Sequence, residues 1–315
     1  MCNIFLTTVS SLSLMQFSLK ENIEMSLYGR DFLRKAHDVL KVDDDEVDVQ
    51  FQEHGYLFLA SSKHGKEQII QNNKVQQSAG CDIHLMDPSQ LKQTFPWLNT
   101  SDILLGSFGE KGEGWFDPWA LIRGFKRKCQ SMGVKFVKGS PVGSVREESN
   151  GRVLSVDVLE EERDVVRYNV HHVVNATGAH CSKVMETLAT TENGNGMVYP
   201  IPVEPRKRSI FFIHCNTQQS SDFVVPQIAP LTVCPVTGVY FRSEGLVGAD
   251  GEPTGNFLCG VSPPQEIDKA IDDISELDYA DHELWDEVIW PALYHRIPAF
   301  GDVKVKRSGS YLRKK

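Results

Sequence analysis

The sequence predicts a mixed α/β fold, α+β in its layout, with part of a crossover α/β domain beside a second domain built on an antiparallel sheet. Three observations predict it. A helix signal over residues 117–133 runs straight into the apolar stretch Val134-Lys135-Phe136-Val137, which is the helix–strand half of a crossover unit. A second apolar stretch, Val170-His171-His172-Val173-Val174, ends abruptly in the small residues Asn175-Ala176-Thr177-Gly178-Ala179, leaving room for a ligand at the carboxyl end of a strand. From Arg208 onward, short β-type segments follow one another with no long helix before Asp281, as in an antiparallel sheet.

The elements follow in order. Residues 20–40 place Ile23, Leu27, Phe32, Leu33, Ala36, Val39 and Leu40 near helical spacing, and after the acidic turn at 43–46 residues 47–60 read as a strand. Residues 66–79 and 88–95 read as two more helices, the second stopped by Pro96. Gly106, Gly109, Gly112 and Gly114 have the spacing of neither a dinucleotide loop nor a P-loop, and read as a turn into the next helix. There Asp117 is placed to cap, Pro118 to begin and Gly133 to end the helix, with Trp119, Ile122, Phe125 and Cys129 on one face. Strands over 141–146, 153–159 and 165–168, with turns at Ser149-Asn150-Gly151 and at the glutamates 160–162, form a small antiparallel insertion. A helix then runs to Ala189, and a Gly/Asn-rich linker over 192–196 leads to strands at 208–214, 239–242 and 256–261. A helix over 281–295 closes the series.

Of 315 residues, 41% are hydrophobic and 24% charged, the balance of an ordinary globular chain. The net charge of -9, with acidic clusters at 43–46 and 160–162, repels a phosphate backbone and argues against nucleic acid as a partner. Lys304, Lys306, Arg307, Arg313, Lys314 and Lys315 gather at the C-terminus and read as a frayed, solvated end. Seven scattered cysteines with no C-x-x-C pair argue against a disulfide framework or structural zinc and for a reducing compartment. No apolar run reaches the length of a transmembrane segment, and residues 4–15 lack the charges of a signal or transit peptide.

The chemistry-bearing residues are few. No G-x-G-x-x-G triplet occurs, although a dinucleotide site uses one to bring backbone and helix N-terminus against the pyrophosphate. His171 and His172, adjacent in an expected strand, face opposite sides and cannot share a metal. Alternation splits Arg206, Lys207 and Arg208 across two faces, a solvated edge rather than an anion site. Tyr240 and Arg242, two apart in an expected strand, point the same way: they are either a clamp for a substrate carboxylate or a cross-strand packing pair. Trp97, Trp115, Trp119, Trp285 and Trp290 read as core or interface residues. Nothing groups Ser, His and Asp, or Cys and His, as a hydrolase requires.

The ordered series Gly114-Trp115-Phe116-Asp117-Pro118, helix, Gly133-Val134, Pro141-Val142, β insertion and Val173-Val174-Asn175-Ala176-Thr177-Gly178-Ala179 resembles the D-amino-acid-oxidase-like family of flavin enzymes. That family includes glycine oxidase and the sarcosine and dimethylglycine dehydrogenases. Gln16-Phe17-Ser18-Leu19, Glu53-His54-Gly55-Tyr56-Leu57-Phe58-Leu59-Ala60, Phe95-Pro96-Trp97, Pro202-Val203-Glu204-Pro205-Arg206-Lys207-Arg208, Tyr240-Phe241-Arg242 and Val288-Ile289-Trp290-Pro291 resemble its mitochondrial branch linked to assembly of respiratory complex I. The resemblance implies the GR2, D-amino-acid-oxidase-like fold: a substrate-type domain with an antiparallel sheet over 16–110 and 200–300, and a partial Rossmann-like FAD-binding domain over 111–190. Residues 1–15 and 301–315 are atypical ends.

FAD is the implied cofactor, with Val142 meeting the adenine edge through its backbone and Ala176, Thr177 and Gly178 lying against the cofactor. The implied reaction takes hydride from an amine or amino-acid substrate, with complex I assembly intermediates as partners at the mitochondrial inner membrane or in the matrix. The family's opening strand, glycine fingerprint and ribose-binding acid find no match before Met1. Past Val305 the residues Lys306-Arg307-Ser308-Gly309 depart from its closing strands and second flavin loop. The expectation is a truncated isoform with both ends of the cofactor cradle missing and no catalytic competence, and a non-catalytic scaffold of the same fold is the alternative.

Overall fold

The structure, a computed structural model, describes residues 12–147, 151–161, 164–189, 201–215, 225–245, 254–271 and 273–314. The expected turn residues Ser149 and Asn150 and the linker over 192–196 lie outside them. Contacts divide the chain into two units. The first comprises Met1–Cys129, Arg208–Pro263 and Leu277–Tyr311, and the second Gln130–Lys207, Pro264–Glu276 and Leu312–Lys315.

The first unit is organised by an eight-stranded sheet. Its strands are β2 (Tyr56–Ala60), β3 (Ile83–Met86), β4 (Leu105–Gly109), β9 (Pro205–His214), β10 (Leu231–Val233), β11 (Tyr240–Ser243), β12 (Asn256–Gly260) and β13 (Lys304–Lys314), in the order β13-β9-β12-β11-β10-β2-β4-β3. β10 lies parallel to β2, while β3–β4–β2 and β10–β11–β12–β9 run antiparallel. A further pair, β1 (Leu12–Ser13) with β5 (Gly114–Trp115), is antiparallel.

Strand alternation sorts the side chains. Leu57, Leu59, Phe211, Ile213, Phe241, Phe257 and Cys259 go to one face and form the main core with Trp97, Leu284, Trp285, Ile289, Leu293 and Phe300. The opposite face carries a cross-strand row, Ser107–Phe58–Val233–Tyr240–Gly260, with Tyr56 and Arg242 each two residues along.

Helices close the unit where the sequence signals them. α1 (Lys20–Arg34), α2 (Ala36–Val39) and α3 (Lys63–Ser78) occupy the expected stretches. α4 (Pro88–Thr94) starts with a capping box between Asp87 and Gln90. α5 (Pro118–Ser131) is capped by Asp117, whose Oδ1 accepts from the Trp119 and Ala120 amides at 2.8 and 3.1 Å. Replacing Asp117 by Ala is expected to lower stability by about 1 kcal/mol, read as a shift in the urea midpoint. The helix presents Gly124 to Leu40 and Val47, whereas Trp119, Ile122 and Phe125, which the spacing sets on one face, are exposed. α7 (His282–Leu284) continues through a π turn (Trp285–Ile289) into α8 (Trp290–Arg296). The wide turn falls directly before Pro291, which has no N–H to complete an α ladder.

The second unit holds a three-stranded antiparallel sheet of β6 (Gly139–Arg146), β7 (Val153–Glu160) and β8 (Val165–Asn169), as expected. α6 (Cys181–Ala189) is tied to β6 by Ser144, whose hydroxyl donates to the Leu188 carbonyl.

Several expectations are corrected. The stretches 134–137 and 171–174 are exposed coil with no strand paired to them among the described residues, and only Val170 of the second expected strand bonds to β7, its amide donating to the Leu154 carbonyl at 2.9 Å. His171 and His172 therefore sit in coil, and the face argument made for them loses its premise. Of the expected strand over 47–60 only β2 pairs as a strand, and Gln52 makes an isolated bridge to Trp115. Gly106 and Gly109 lie in β4 rather than a turn: a Cβ on Gly106 would press into Leu91, and one on Gly109 would overlap Glu113 Oε2. The C-terminal basic run is not a frayed end but β13, hydrogen-bonded to β9. That pairing makes β9 an interior strand, and Arg208 is buried rather than a solvated edge. Trp97 and Trp285 are core residues, whereas Trp119 and Trp290 are exposed.

Candidate active site

Arg242 stands on β11, between β10 and β12, and is only 3% exposed. Phe241 on the core side and Leu258 opposite it hold the strand. The guanidinium lies 4.7 Å from the ring centroid of Trp115, a cation–π contact strengthened by exclusion of water. Its Nη1 donates to Glu244 Oε2 at 2.6 Å and to the Ser243 carbonyl at 2.8 Å. Trp115 reaches this position because Gly114 lets β5 touch Gln52: a Cβ on Gly114 would overlap the Gln52 carbonyl oxygen. Burial pushes the Glu244 carboxyl up, with Asp117 adding, and outweighs the downward pull of Arg242.

Tyr240 lies on the same face as Arg242, with its hydroxyl over Gly260, where a Cβ would come within 2.9 Å of it. Around this pair the structure gathers buried polar atoms that have no hydrogen-bond partner among the described residues: Tyr56 Oη, His54 Nδ1 and Trp115 Nε1. Burial pushes the Tyr56 phenol well up, Glu113 and Tyr240 add to it, and Arg242 opposes. Burial and then Arg242 hold the His54 imidazole down, toward its neutral form. Unsatisfied polar atoms cost free energy in a dry interior, and several beside one cation are what a small anionic, hydrogen-bonding ligand would satisfy.

A second polar cluster adjoins Tyr56. Glu113 is fully buried, and its Oε1 accepts from the Met15 amide at 2.5 Å. Its Oε2 accepts from Gln16 Nε2 at 2.7 Å, which also reaches the Tyr56 carbonyl at 3.1 Å. Ser107 Oγ donates to Gln16 Oε1 at 2.7 Å. Burial raises the Glu113 carboxyl to about 7 despite the Gln16 and Met15 donors.

In the second unit Val142 is the extra residue of a β-bulge: Pro141 faces Val158 and Gly143 faces Asp157, so Val142 has no partner in the ladder. Its side chain is exposed. Asn175 Oδ1 accepts from Thr177 Oγ1 at 2.7 Å and from the Thr177 amide at 3.3 Å, closing a turn over Ala176. Gly178 follows at φ +58°, with no atom within 4 Å of where a Cβ would stand. Ala176, Thr177 and Gly178 are exposed and preserve a small-residue surface that a flat group can approach. These features fit a dinucleotide's adenine edge and ring system. The glycine triplet for its pyrophosphate does not occur in the 315 residues.

Tyr240 and Arg242 thus come together in the first unit, and Val142 and Ala176–Gly178 are described in the second. Sequence reasoning missed Tyr56, His54, Trp115, Glu113 and Gln16, which reach the site from distant points of the chain, and Glu244, which stands two residues beyond Arg242. The local signals were Glu113-Gly114-Trp115, where a glycine separates an acid from an aromatic residue, and the spacing of Glu244 from Arg242. Among the described residues no cluster of three His, Cys, Asp or Glu could hold a metal, and no helix is long and apolar enough to cross a membrane.

Residues 12–314 match the family model described as FAD dependent oxidoreductase. The FAD-dependent oxidoreductase domain-containing protein 1 of Xenopus laevis is 36% identical over 319 residues, covering 93% of this chain and 58% of that protein. The Bos taurus protein of the same name is 36% identical over 306 residues, covering 92% and 59%. The chain therefore spans a little under six-tenths of the length of these curated relatives. Glycine oxidase from Geobacillus kaustophilus shares the fold with a TM-score of 0.68 at 13% identity, over 98% of this chain and 72% of that one. L-proline dehydrogenase from P. horikoshii does so with 0.66 at 19% identity, over 97% and 69%.

Proposed function

The chain belongs to the FAD-dependent oxidoreductase family, and from that premise we propose that it is an oxidoreductase of the amine or amino-acid type whose Arg242 pocket receives the substrate carboxylate. The observation that carries this reading is the set of buried atoms without a partner among the described residues, Tyr56 Oη, His54 Nδ1 and Trp115 Nε1, around a buried arginine. Arg242 orients the carboxylate, Trp115 backs the guanidinium and keeps water off it, and the Tyr56 and Trp115 donors supply hydrogen bonds. Glu244 holds the cation until a ligand carboxylate takes its place, and its upward-shifted carboxyl makes proton uptake on that exchange less costly. FAD, when bound, supplies the hydride acceptor; Val142, Ala176, Thr177 and Gly178 are the residues of this chain that would hold it.

The protein's place in assembly of respiratory complex I, at the mitochondrial inner membrane or in the matrix, is part of the same proposal. It is supported by the segmental resemblance running from Gln16 to Pro291. A non-catalytic scaffold with this fold is the second reading, favoured by Glu244 already occupying Arg242.

Titrating the purified chain with FAD and then with N-methylglycine, followed by flavin absorbance, tests the proposal. Flavin uptake, with a spectral response to N-methylglycine weakened about tenfold or more in Arg242→Gln, is the expected result. An unchanged response in Arg242→Gln would remove the clamp, and flavin uptake with no response to any amine acid would favour the scaffold.

A further inference from the structure

The buried cluster beside Tyr56 joins a carboxyl, an amide and a hydroxyl, and its hydrogen-bond direction depends on a single proton. With Glu113 ionised, every bond points toward it: Ser107 donates to Gln16 Oε1, Gln16 Nε2 donates to Glu113 Oε2, and the Met15 amide donates to Glu113 Oε1. A protonated Glu113 must donate in turn. The amide of Gln16 can accept that proton only by turning over, because its nitrogen now faces the acid. Once turned, Gln16 presents its oxygen to Glu113 and its NH2 to Ser107, releases the Tyr56 carbonyl, and makes Ser107 an acceptor. We propose that Glu113, Gln16 and Ser107 form a proton-driven polarity switch at the edge of the sheet face that carries Tyr56, Tyr240 and Arg242.

The surroundings leave Glu113 in control of this switch near neutral pH. Its carboxyl sits at about 7 through burial. Arg30 of α1 is held by Asp31 and touches Met15 Sδ. Cys81 is raised by burial and then by Glu113. The Tyr56 phenol is raised by burial and then by Glu113. Glu53, held low by Arg34, accepts from the Gly112 amide. His54, held low by burial and by Arg242, takes its proton on the acid side. An ionised Glu113 places negative charge near Tyr56 and opposes an anion at Arg242, and a protonated one removes it. This regulation rests on the carboxylate reading of the pocket, but the switch itself does not.

The test is infrared and side-chain amide NMR spectroscopy of the full chain without ligand, across about pH 5 to 9. A carboxylic acid band that disappears with a midpoint near 7, moving together with the Gln16 amide resonances, is expected. Glu113→Gln, which matches the protonated acid in shape and in donating, is expected to lose the band and fix the Gln16 resonances at their acid-side positions at every pH. Ser107→Ala is expected to keep the band but shift its midpoint. A band that persists in Glu113→Gln, or Gln16 resonances that ignore the titration, would overturn the switch. If the switch operates while Arg242→Gln binds N-methylglycine as wild type does, the pocket assignment fails and the switch stands.

Discussion

Phe241→Ala is expected to lower the free energy of unfolding by about 3–5 kcal/mol, the range for truncating a fully buried phenylalanine where the surroundings cannot collapse. Phe241 is completely buried, and its ring meets Phe300 at 5.2 Å, Trp97 at 6.0 Å and Phe257 at 6.1 Å between centroids. Three aromatic neighbours from three different segments cannot all close in on one void, so the cavity persists. Because Phe241 lies between Tyr240 and Arg242 on β11, the same change should loosen the strand under the pocket. Urea unfolding followed by far-ultraviolet dichroism measures the first effect. A loss below about 1 kcal/mol would mean that the core repacks and that β11 is not anchored as described.

Asp102→Ala is expected to cost about 3 kcal/mol, the lower end for stripping the partner from a buried charge, because the Asp102 side chain itself is 39% exposed. Arg296 is 2% exposed and meets Asp102 through both terminal nitrogens at 2.8 and 2.9 Å, while also donating to the Asn99 carbonyl. Asn99 returns two bonds, from its amide to the Arg296 carbonyl at 2.8 Å and from Nδ2 to the His295 carbonyl at 2.9 Å. Arg296→Met should cost less, since the carboxylate it leaves behind can reach water. The hydrogen bond from Arg296 holds the Asp102 carboxyl below the ordinary carboxylate range. A depressed folded value means that this contribution is present above about pH 4 and is lost as pH falls through the lower folded value. Acid titration of stability should therefore be flatter in Asp102→Ala than in wild type, and equal slopes would refute the pairing.

Elements announced by local chemistry were legible in the sequence. Asp117 with Pro118 and Gly133, and Asp87 with Pro88 and Gln90, mark helix ends by satisfying backbone groups within a few residues. Strands are different, because a strand is a relation to a neighbour. Residues 134–137 and 171–174 belong to stretches of strand-like composition but have no paired strand among the described residues, whereas glycine-rich β4 and basic β13 become strands because β2, β3 and β9 lie alongside them. The site divides in the same way. The two-residue spacing of Tyr240 and Arg242 needs only one strand to align them, but Tyr56, Trp115 and Glu113 meet them only after the sheet has assembled. Glu244 was missed because the expected strand was ended at Arg242, although Glu244 directly extends the alternation of β11.

The parallel contact of β2 with β10 has a consequence for how the molecule is made. Residues 56–58 have no neighbour on that side until residues 231–233 arrive, so the centre of the sheet stays open while most of the chain leaves the ribosome. Pairings of such long sequence separation carry a large loop-closure cost and form slowly. Until then β2, with the sequence Tyr56-Leu57-Phe58-Leu59-Ala60, is an uncharged apolar strand with one bare edge, the kind of segment on which chaperones act and from which aggregates grow. Any change that delays the arrival of residues 231–233 is therefore expected to lower the yield of folded protein.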